Sequence, residues 1–548
     1  MVETAPAGID VTTLAAAEKL LAVDYTASER ALLLESLERH LDMVRARRSF
    51  QPPNELAPAS VFQPWLPGRP LPSGDSTVKP SAVAATPLPA SDEDIAFAPV
   101  TQLAQWLRTR ALTSERLTTV YLERLRRLGP KLECVVTLTE ELALRQARAA
   151  DAELDQGKWR GPLHGVPWGA KDLLDTAGIP TTWGAEPYRD RIPTRDAAVV
   201  ERLAAAGAVL VAKLSLGALA YGDIWHGGVT KNPWNLFEGS SGSSAGSAAA
   251  TAAGLVGFAI GTETLGSIVS PSMRCGATGL RPTFGRVSRT GAMALCWSLD
   301  KIGPIARTVE DCLLVLSEIH GADAGDPASV TVPLTYDGDA SVKGLRCGYV
   351  PAHFNGEGSD EEDRAALEPA RMAGFDLVEL ELPELPYQAL LIGLLAESAA
   401  AFEELTLSNR DDELRWQHKD AWPNGWRLAR FLSAVDLVQA DRLRRQLMIE
   451  LGGVLDTVDV MLGPSFAGHM TLATNFTGHP SLTLRAGFAE REWRTDWEGE
   501  KPDAGAPERA LVPHGVTLWG RLYDEGTLAR AGRALERELG VWDRRPPL

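Results

Sequence analysis

A chain of 548 residues with 45% hydrophobic and 23% charged side chains has the composition of a soluble globular protein, long enough for one large catalytic domain with an appendage. Its 55 basic against 72 acidic residues leave a net charge of −17, which argues against a nucleic-acid surface, because phosphate backbones are bound by excess positive charge. The opening "MVETAPAGID" lacks the basic and apolar regions of a leader, no stretch reaches the ~18 uncharged apolar residues of a membrane span, and the five scattered cysteines form no C-x-x-C pair, so the expectation is a cytoplasmic protein without membrane contact, disulfide framework or structural zinc.

Residues 11–48 carry two helical patterns, and Thr26 with Glu29 between them has the spacing of a capping box, which predicts a helical hairpin over residues 1–50. The sequence leaves open whether this hairpin packs on its own domain, hangs as a loose terminus, or meets a second copy of the chain to form a homodimer. Ten prolines within residues 52–89 exclude interior helix or sheet and predict an extended strap over residues 51–93. Residues 94–548 then read as the catalytic domain. Within it "TQLAQWLRTRAL" and "SERLTTVYLERLRRL" are amphipathic helices, and "AAVVERLAAAGAVLVAKL" is a helix, a glycine and a short buried strand. Further strands are predicted in "GLRCGYV", "FDLVELELP" and "TVDVMLGPS", each beside a helical stretch. Alternation of this kind predicts an α/β fold with a mixed central β-sheet covered by helices on both sides.

The stretch "EGSSGSSAGSAAATAAGLVGFAIGTETLGSIVSP", residues 238–271, has the composition of a flexible linker only as far as Gly246; the alanines and apolar residues beyond need a partner to bury them. A Walker-type phosphate loop is excluded, because no lysine occurs between Lys231 and Lys301. Residues Gly242 to Gly246 match the G-x-S-x-G nucleophile elbow of α/β-hydrolases, but an elbow follows a buried strand, and "KNPWNLFEGS" reads as polar and turn-like.

A different comparison accounts for more of the chain. "SGSSAGS" at 241–247 and "GTETLGSIV" at 261–269 resemble the two serine motifs of the amidase signature family of serine amide hydrolases, and "GPLHGVPWGAKDLLDTAGIPTTWGA" resembles its lysine segment. "KNPWN" and "SLDKIGPIART" fall where similar sequences do. The core of the resemblance is residues 161–312, with weaker similarity from about Asp94 to "NFTGHPSLTL" and the C-terminal helix; the hairpin and strap lie outside it.

The resemblance implies an amidase-signature-type fold with Ser267 as nucleophile, Ser243 as bridging serine and Lys171 as base. It also implies a cis peptide before Ser243 and backbone N–H groups of Thr264, Leu265 and Gly266 aimed at an oxyanion. The two serines are 24 residues apart, the separation seen in the family. The implied reaction is cleavage of a small-molecule amide through an acyl-enzyme, releasing ammonia or an amine and then a carboxylic acid, with neither metal nor cofactor. A lysine accepts a proton only when neutral, so apolar surroundings such as "GVPWGAKDLL" must disfavour its ammonium form.

Two positions depart from the family pattern. Leu265 stands where the family has a glycine, and Val269 where it has an arginine that pairs with the acid at 263; Arg274 and Arg281 are the candidates to neutralise Glu263 instead. These departures keep open a binding protein that retained the fold without the activity. Two further alternatives are a carbamate- or ester-cleaving member, and the glutaminase subunit of a tRNA-dependent amidotransferase. Such subunits carry Arg-Ile-Met and a Tyr-Tyr pair where this chain has "GWRLARFLSAVDLVQADRLRRQL". Lys213 ranks below Lys171, since a lysine ending a strand is usually a solvated cap. His469 and His479 lack metal-ligand spacing. Trp168, Trp183, Trp225 and Trp297 lie in segments expected around the site, as core or as pocket wall.

Overall fold

The residues read as helix, glycine and strand form the helix Ala198–Ala205, then Gly207 at φ +80°, then the strand Val209–Leu214, whose side chains are all buried. A strand buried on both faces belongs inside a covered sheet. That sheet is the centre of the computed structural model, which describes residues 8–356, 361–492 and 507–548. Residues 1–7, part of the stretch read for a leader, lie outside the described residues.

The sheet has eleven strands in the order Asp376–Glu379, Arg346–Tyr349, Val460–Pro464, Arg509–Gly520, Ser481–Glu492, Thr278–Arg281, Lys301–Ala306, Phe258–Glu263, Pro167–Lys171, Val209–Leu214 and Val135–Leu138. It is mixed. Pro167–Lys171 runs parallel to both of its neighbours, whereas Phe258–Glu263 and Lys301–Ala306 are antiparallel. Helices flank it, among them Ser114–Leu132, Val309–Ile319 and Glu525–Leu539, and the helix Ala245–Ala252 is buried at every residue. The α/β architecture is therefore the one expected from the alternation of patterns. The Gly/Ser/Ala stretch belongs to the core and not to a linker.

At the N-terminal end the helices Val11–Leu21 and Ala27–Arg48 meet at Thr26, whose N–H donates to Glu29 Oε2 at 2.7 Å while Glu29 N–H donates to Thr26 Oγ1 at 3.3 Å. The second helix buries no residue, and Leu32 and Met43 are 64% and 61% exposed. Its far end is tied down by Arg47, which pairs with Glu403 at 2.6 Å. The proline-rich stretch is extended, with one feature its composition did not predict: Thr77–Lys79 forms a short strand parallel to Thr335–Asp337. Pro80, which has no N–H to give a ladder, stands just past its end. All five cysteines are buried, and none forms a disulfide. Among the described residues no helix is long and apolar enough to cross a membrane.

Candidate active site

Pro167–Lys171 is wholly buried, and its register with Phe258–Glu263 sets Ala170 beside Ile260. The ends of both strands therefore emerge together, at the carboxyl edge where parallel sheets place their ligands. Lys171 closes one strand, and Thr262 lies near the end of the other. The Lys171 Nζ atom is 2.8 Å from Thr262 Oγ1, 2.9 Å from Ser243 Oγ, 3.1 Å from Ser244 Oγ and 3.4 Å from the Thr262 carbonyl oxygen. Burial pushes this amine well below the ordinary lysine range, against the opposing pull of Asp300 and Glu263.

Ser243 and Ser244 arrive from the other direction, at the start of the helix Ala245–Ala252. A side chain at Gly246 would put its Cβ 2.6 Å from Cys134 O and Ser215 N, so only glycine lets the first turn lie this close to its neighbours. The Gly242–Ser243 peptide is cis.

After Glu263 the chain turns through Thr264, Leu265, Gly266 and Ser267 into the helix Val269–Cys275. The left-handed position in this turn is Gly266, at φ +92°, and not Leu265. The leucine thus meets no backbone strain, and the glycine the turn needs is present. Among the described residues the N–H groups of Leu265, Gly266 and Ser267 have no acceptor. The Thr264 hydroxyl donates to Asp300 at 2.6 Å.

Glu263 holds the turn from below. Its carboxylate accepts the N–H groups of Ile268 at 2.8 Å and Val269 at 2.9 Å, with Asn475 at 2.8 Å and Arg281 at 2.7 Å. Arg281 therefore supplies the cation that Val269 does not. Burial opposes ionisation of Glu263, but Arg281 and these donors overcome it and draw its pKa down to about 2. Ser267 is 9% exposed, against 1% for Ser243 and 0% for Lys171, so it is the one of the three with access from outside. Its carbonyl accepts the Ser244 N–H at 3.1 Å, and its hydroxyl has no hydrogen-bond partner among the described residues.

The sequence model of the family described as Amidase matches residues 116–528. The chain belongs to the amidase family. It is 35% identical over 462 residues to a glutamyl-tRNA(Gln) amidotransferase subunit of Anaeromyxobacter dehalogenans (strain 2CP-C), covering 79% of this chain and 94% of that protein. To the Mycobacterium tuberculosis (strain ATCC 25618 / H37Rv) protein named AmiD it is 36% identical over 474 residues, covering 84% of this chain and 98% of the other. The peptide amidase of Stenotrophomonas maltophilia superposes with a TM-score of 0.69 at 29% identity, over 82% of this chain and 98% of that one. As an amidase the protein is a hydrolase of carbon–nitrogen bonds.

Elsewhere in this amidase the structure overturns the expectation for Lys213. Lys213 is not a solvated cap: it is fully buried and donates to Leu174 O at 2.9 Å and Thr181 Oγ1 at 2.6 Å, with Asp172 at 3.2 Å. A strand end buried against a carboxylate keeps its lysine for structure. The residues before the G-x-S-x-G match turn only at Pro233 and Trp234. Asn235–Gly239 is a strand, but it pairs with Lys231–Asn232 in a separate two-stranded ribbon, so the central-sheet context of an elbow is missing. His469 stacks on Tyr387, and His479 is buried against Thr477 with its pKa lowered to about 3 by burial and by the nearby Arg281 and Arg69. Trp168 is core, stacked on Phe258; Trp183 packs under Arg191; Trp225 is buried; Trp297 lines a cavity beside the site. Sequence reasoning assigned no role to Ser244 and Thr262, although both stand inside the quoted motifs. Their hydroxyls meet the lysine only through the sheet.

The buried Glu263–Arg281 pair carries a stability prediction. Arg281→Met leaves a carboxylate buried without its cation and is expected to cost about 3–5 kcal/mol in denaturant unfolding. Because the folded pKa of Glu263 lies below its ordinary 4.5, its contribution is present above that value and is lost as pH falls toward about 2. The wild type should lose stability more steeply than the variant across that acid window, as read from urea midpoints at stepped pH.

Proposed function

We propose that this amidase hydrolyses small-molecule amides through an acyl-enzyme on Ser267, with Lys171 as base and Ser243 carrying the proton between them. The observation that supports it best is the set of partners around the lysine. A neutral amine has two N–H donors and one lone pair. Ser244 spends its own hydrogen on the Thr262 carbonyl at 3.0 Å, so its oxygen accepts from Lys171, and Thr262 Oγ1 takes the second N–H. With the amine neutral, as this scheme requires, its lone pair takes the hydroxyl hydrogen of Ser243, whose oxygen lies 2.9 Å away.

In this scheme Ser267 attacks the amide carbonyl and passes its proton to Ser243, whose own proton goes to Lys171. The oxyanion is received by the N–H groups of the turn, those of Thr264, Leu265 and Gly266. The proton then returns through Ser243 to the leaving nitrogen, the C–N bond breaks, and water repeats the sequence to release the acid. The scheme requires a hydrogen bond from the Ser267 hydroxyl to Ser243 that forms with substrate bound, since catalytic hydrogen bonds are often long in free enzymes and tighten only in the complex. No metal or cofactor takes part.

The pH profile tests this scheme. With the Lys171 pKa lowered, kcat/KM should rise with pH along a limb belonging to the coupled Ser-Ser-Lys unit and fall on acidification as the ammonium returns. A bell-shaped profile peaking at about pH 5, with a fluorophosphonate label on a serine other than Ser267, would sink the scheme.

The relatives named as amidotransferase subunits support a second reading, a glutaminase that works inside a complex. Against it stands the segment that departs from their pattern, folded here as the helices Trp422–Ala429 and Ala434–Leu455. Turnover of simple amides or anilides by the purified chain supports the free-standing enzyme; turnover of glutamine alone supports the complex-bound glutaminase. Five buried cysteines outside any disulfide support a reducing, cytoplasmic setting.

A further inference from the structure

Beside the Ser-Ser-Lys cluster lies a cavity of about 120 Å³ lined in part by Thr262 and Thr264. Thr262 is the residue that bonds Lys171, and Thr264 begins the turn to Ser267. A segment of the proline-rich strap contributes Glu55 and Ala57 to the same lining. This strap lies outside residues 116–528, the part matched by the family model.

Asn54 fastens the strap at that point. Its Nδ2 donates to Ala294 O at 2.9 Å and Ala401 O at 3.3 Å, and its Oδ1 accepts the Ala294 N–H at 2.8 Å. Its carbonyl accepts Trp297 Nε1 at 3.2 Å. A side chain that takes both backbone groups of residue 294 sets the strap in one register. At the rim Glu55 faces Arg195 at 3.5 Å.

Each charged group of the cavity wall already has a partner, Glu55 and Arg195 in each other. Arg289 is held by both oxygens of Asp326, at 2.8 and 2.9 Å, and by Trp297 O. Asp300 accepts from Thr264 and from the N–H groups of Leu295 and Cys296, and Lys301 donates to Leu299 O. What remains open to a ligand is more apolar than polar, with Leu173, Ala220, Met293 and Trp297 as its apolar part. A dry cavity of roughly 150 Å³ holds benzene.

Building on the reading of Lys171, Ser243 and Ser267 above, we propose that the strap segment Asn54–Ala57 is a substrate-selecting wall of the active site. The cavity it lines takes a compact uncharged group, up to about the size of a phenyl ring, from one side of the amide. Its chemistry is the same whether that group is the acyl part or the amine part, and two substrate series separate them.

The experiment measures kcat/KM for the full-length enzyme on an acyl series (acetamide, isobutyramide, benzamide, 2-naphthamide) and an amine series (N-methylacetamide, acetanilide, N-(2-naphthyl)acetamide). In one series the wild type should prefer the phenyl member to the naphthyl member, and 4-carboxybenzamide or 4-carboxyacetanilide should lose about a hundredfold against its uncharged parent. Ala57→Phe fills the cavity and should lower the ratio of phenyl to methyl substrate at least about tenfold in that series. Asn54→Ala unfastens the strap and should bring the naphthyl member to within about threefold of the phenyl member. A structural loss alone would scale all substrates together and leave these ratios unmoved. Ratios unchanged in both variants and both series overturn the wall, even with Ser267 labelled by a small fluorophosphonate in the wild type. Absence of that label on Ser267 overturns the catalytic reading and the wall with it.

Discussion

Ser267→Ala is expected to abolish amide hydrolysis, lowering kcat by roughly 10⁶-fold, the scale on which serine hydrolases lose rate with their nucleophile. The loss should be chemical and not structural. The Ser267 hydroxyl has no hydrogen-bond partner among the described residues, and its carbonyl, which accepts from Ser244, is unchanged by the substitution. Stability should therefore stay within about 1 kcal/mol of wild type in urea unfolding. Mass spectrometry of a fluorophosphonate adduct should find the label on Ser267 in the wild type and nowhere in the variant. Near wild-type turnover by a folded, unlabelled variant would remove Ser267 from the reaction.

Lys171→Ala is expected to cost about 10²–10⁴-fold in kcat/KM for amides and less for esters of the same acyl group. Amines are poor leaving groups and need the returned proton, whereas an alkoxide departs without it. The difference between the two substrates is the informative quantity. Removing Lys171 also strips the hydroxyls of Ser243, Ser244 and Thr262 of a shared partner in a buried place, a packing loss that falls on both reactions alike. Equal losses on amide and ester would assign the lysine to that structural role alone. The rising limb of the pH profile should vanish with the amine, since it is Lys171 whose burial holds it well below the ordinary lysine range.

Leu265 and Val269 show how a departure from a pattern is settled by geometry. At the sequence level each weakened the case for activity. In the structure the left-handed residue of the turn is the neighbouring Gly266, and Glu263 finds its cation in Arg281, carried by an adjoining part of the sheet. Neither substitution leaves a strained backbone or a buried charge alone.

By itself the sequence determined what is local: the capping box at Thr26, the helix and strand of residues 198–214, the α/β class, and the lysine and serine motifs whose order and spacing mark the amidase family. Each of these is recorded within a few turns or strand lengths, where periodicity, turn residues and cap chemistry act on neighbouring residues. Only the tertiary structure decided which distant groups meet. It gave Lys171 the hydroxyls of Ser244 and Thr262, buried Lys213 against Asp172, and chose Arg281 over Arg274 for Glu263. It also carried Asn54 onto Ala294, some 240 positions along the chain. A lysine ending a strand has the same neighbours in sequence whether it faces water or a carboxylate. Its environment is made by elements that arrive from elsewhere, and desolvation, which sets its charge and its use, is a property of that packing and not of the segment.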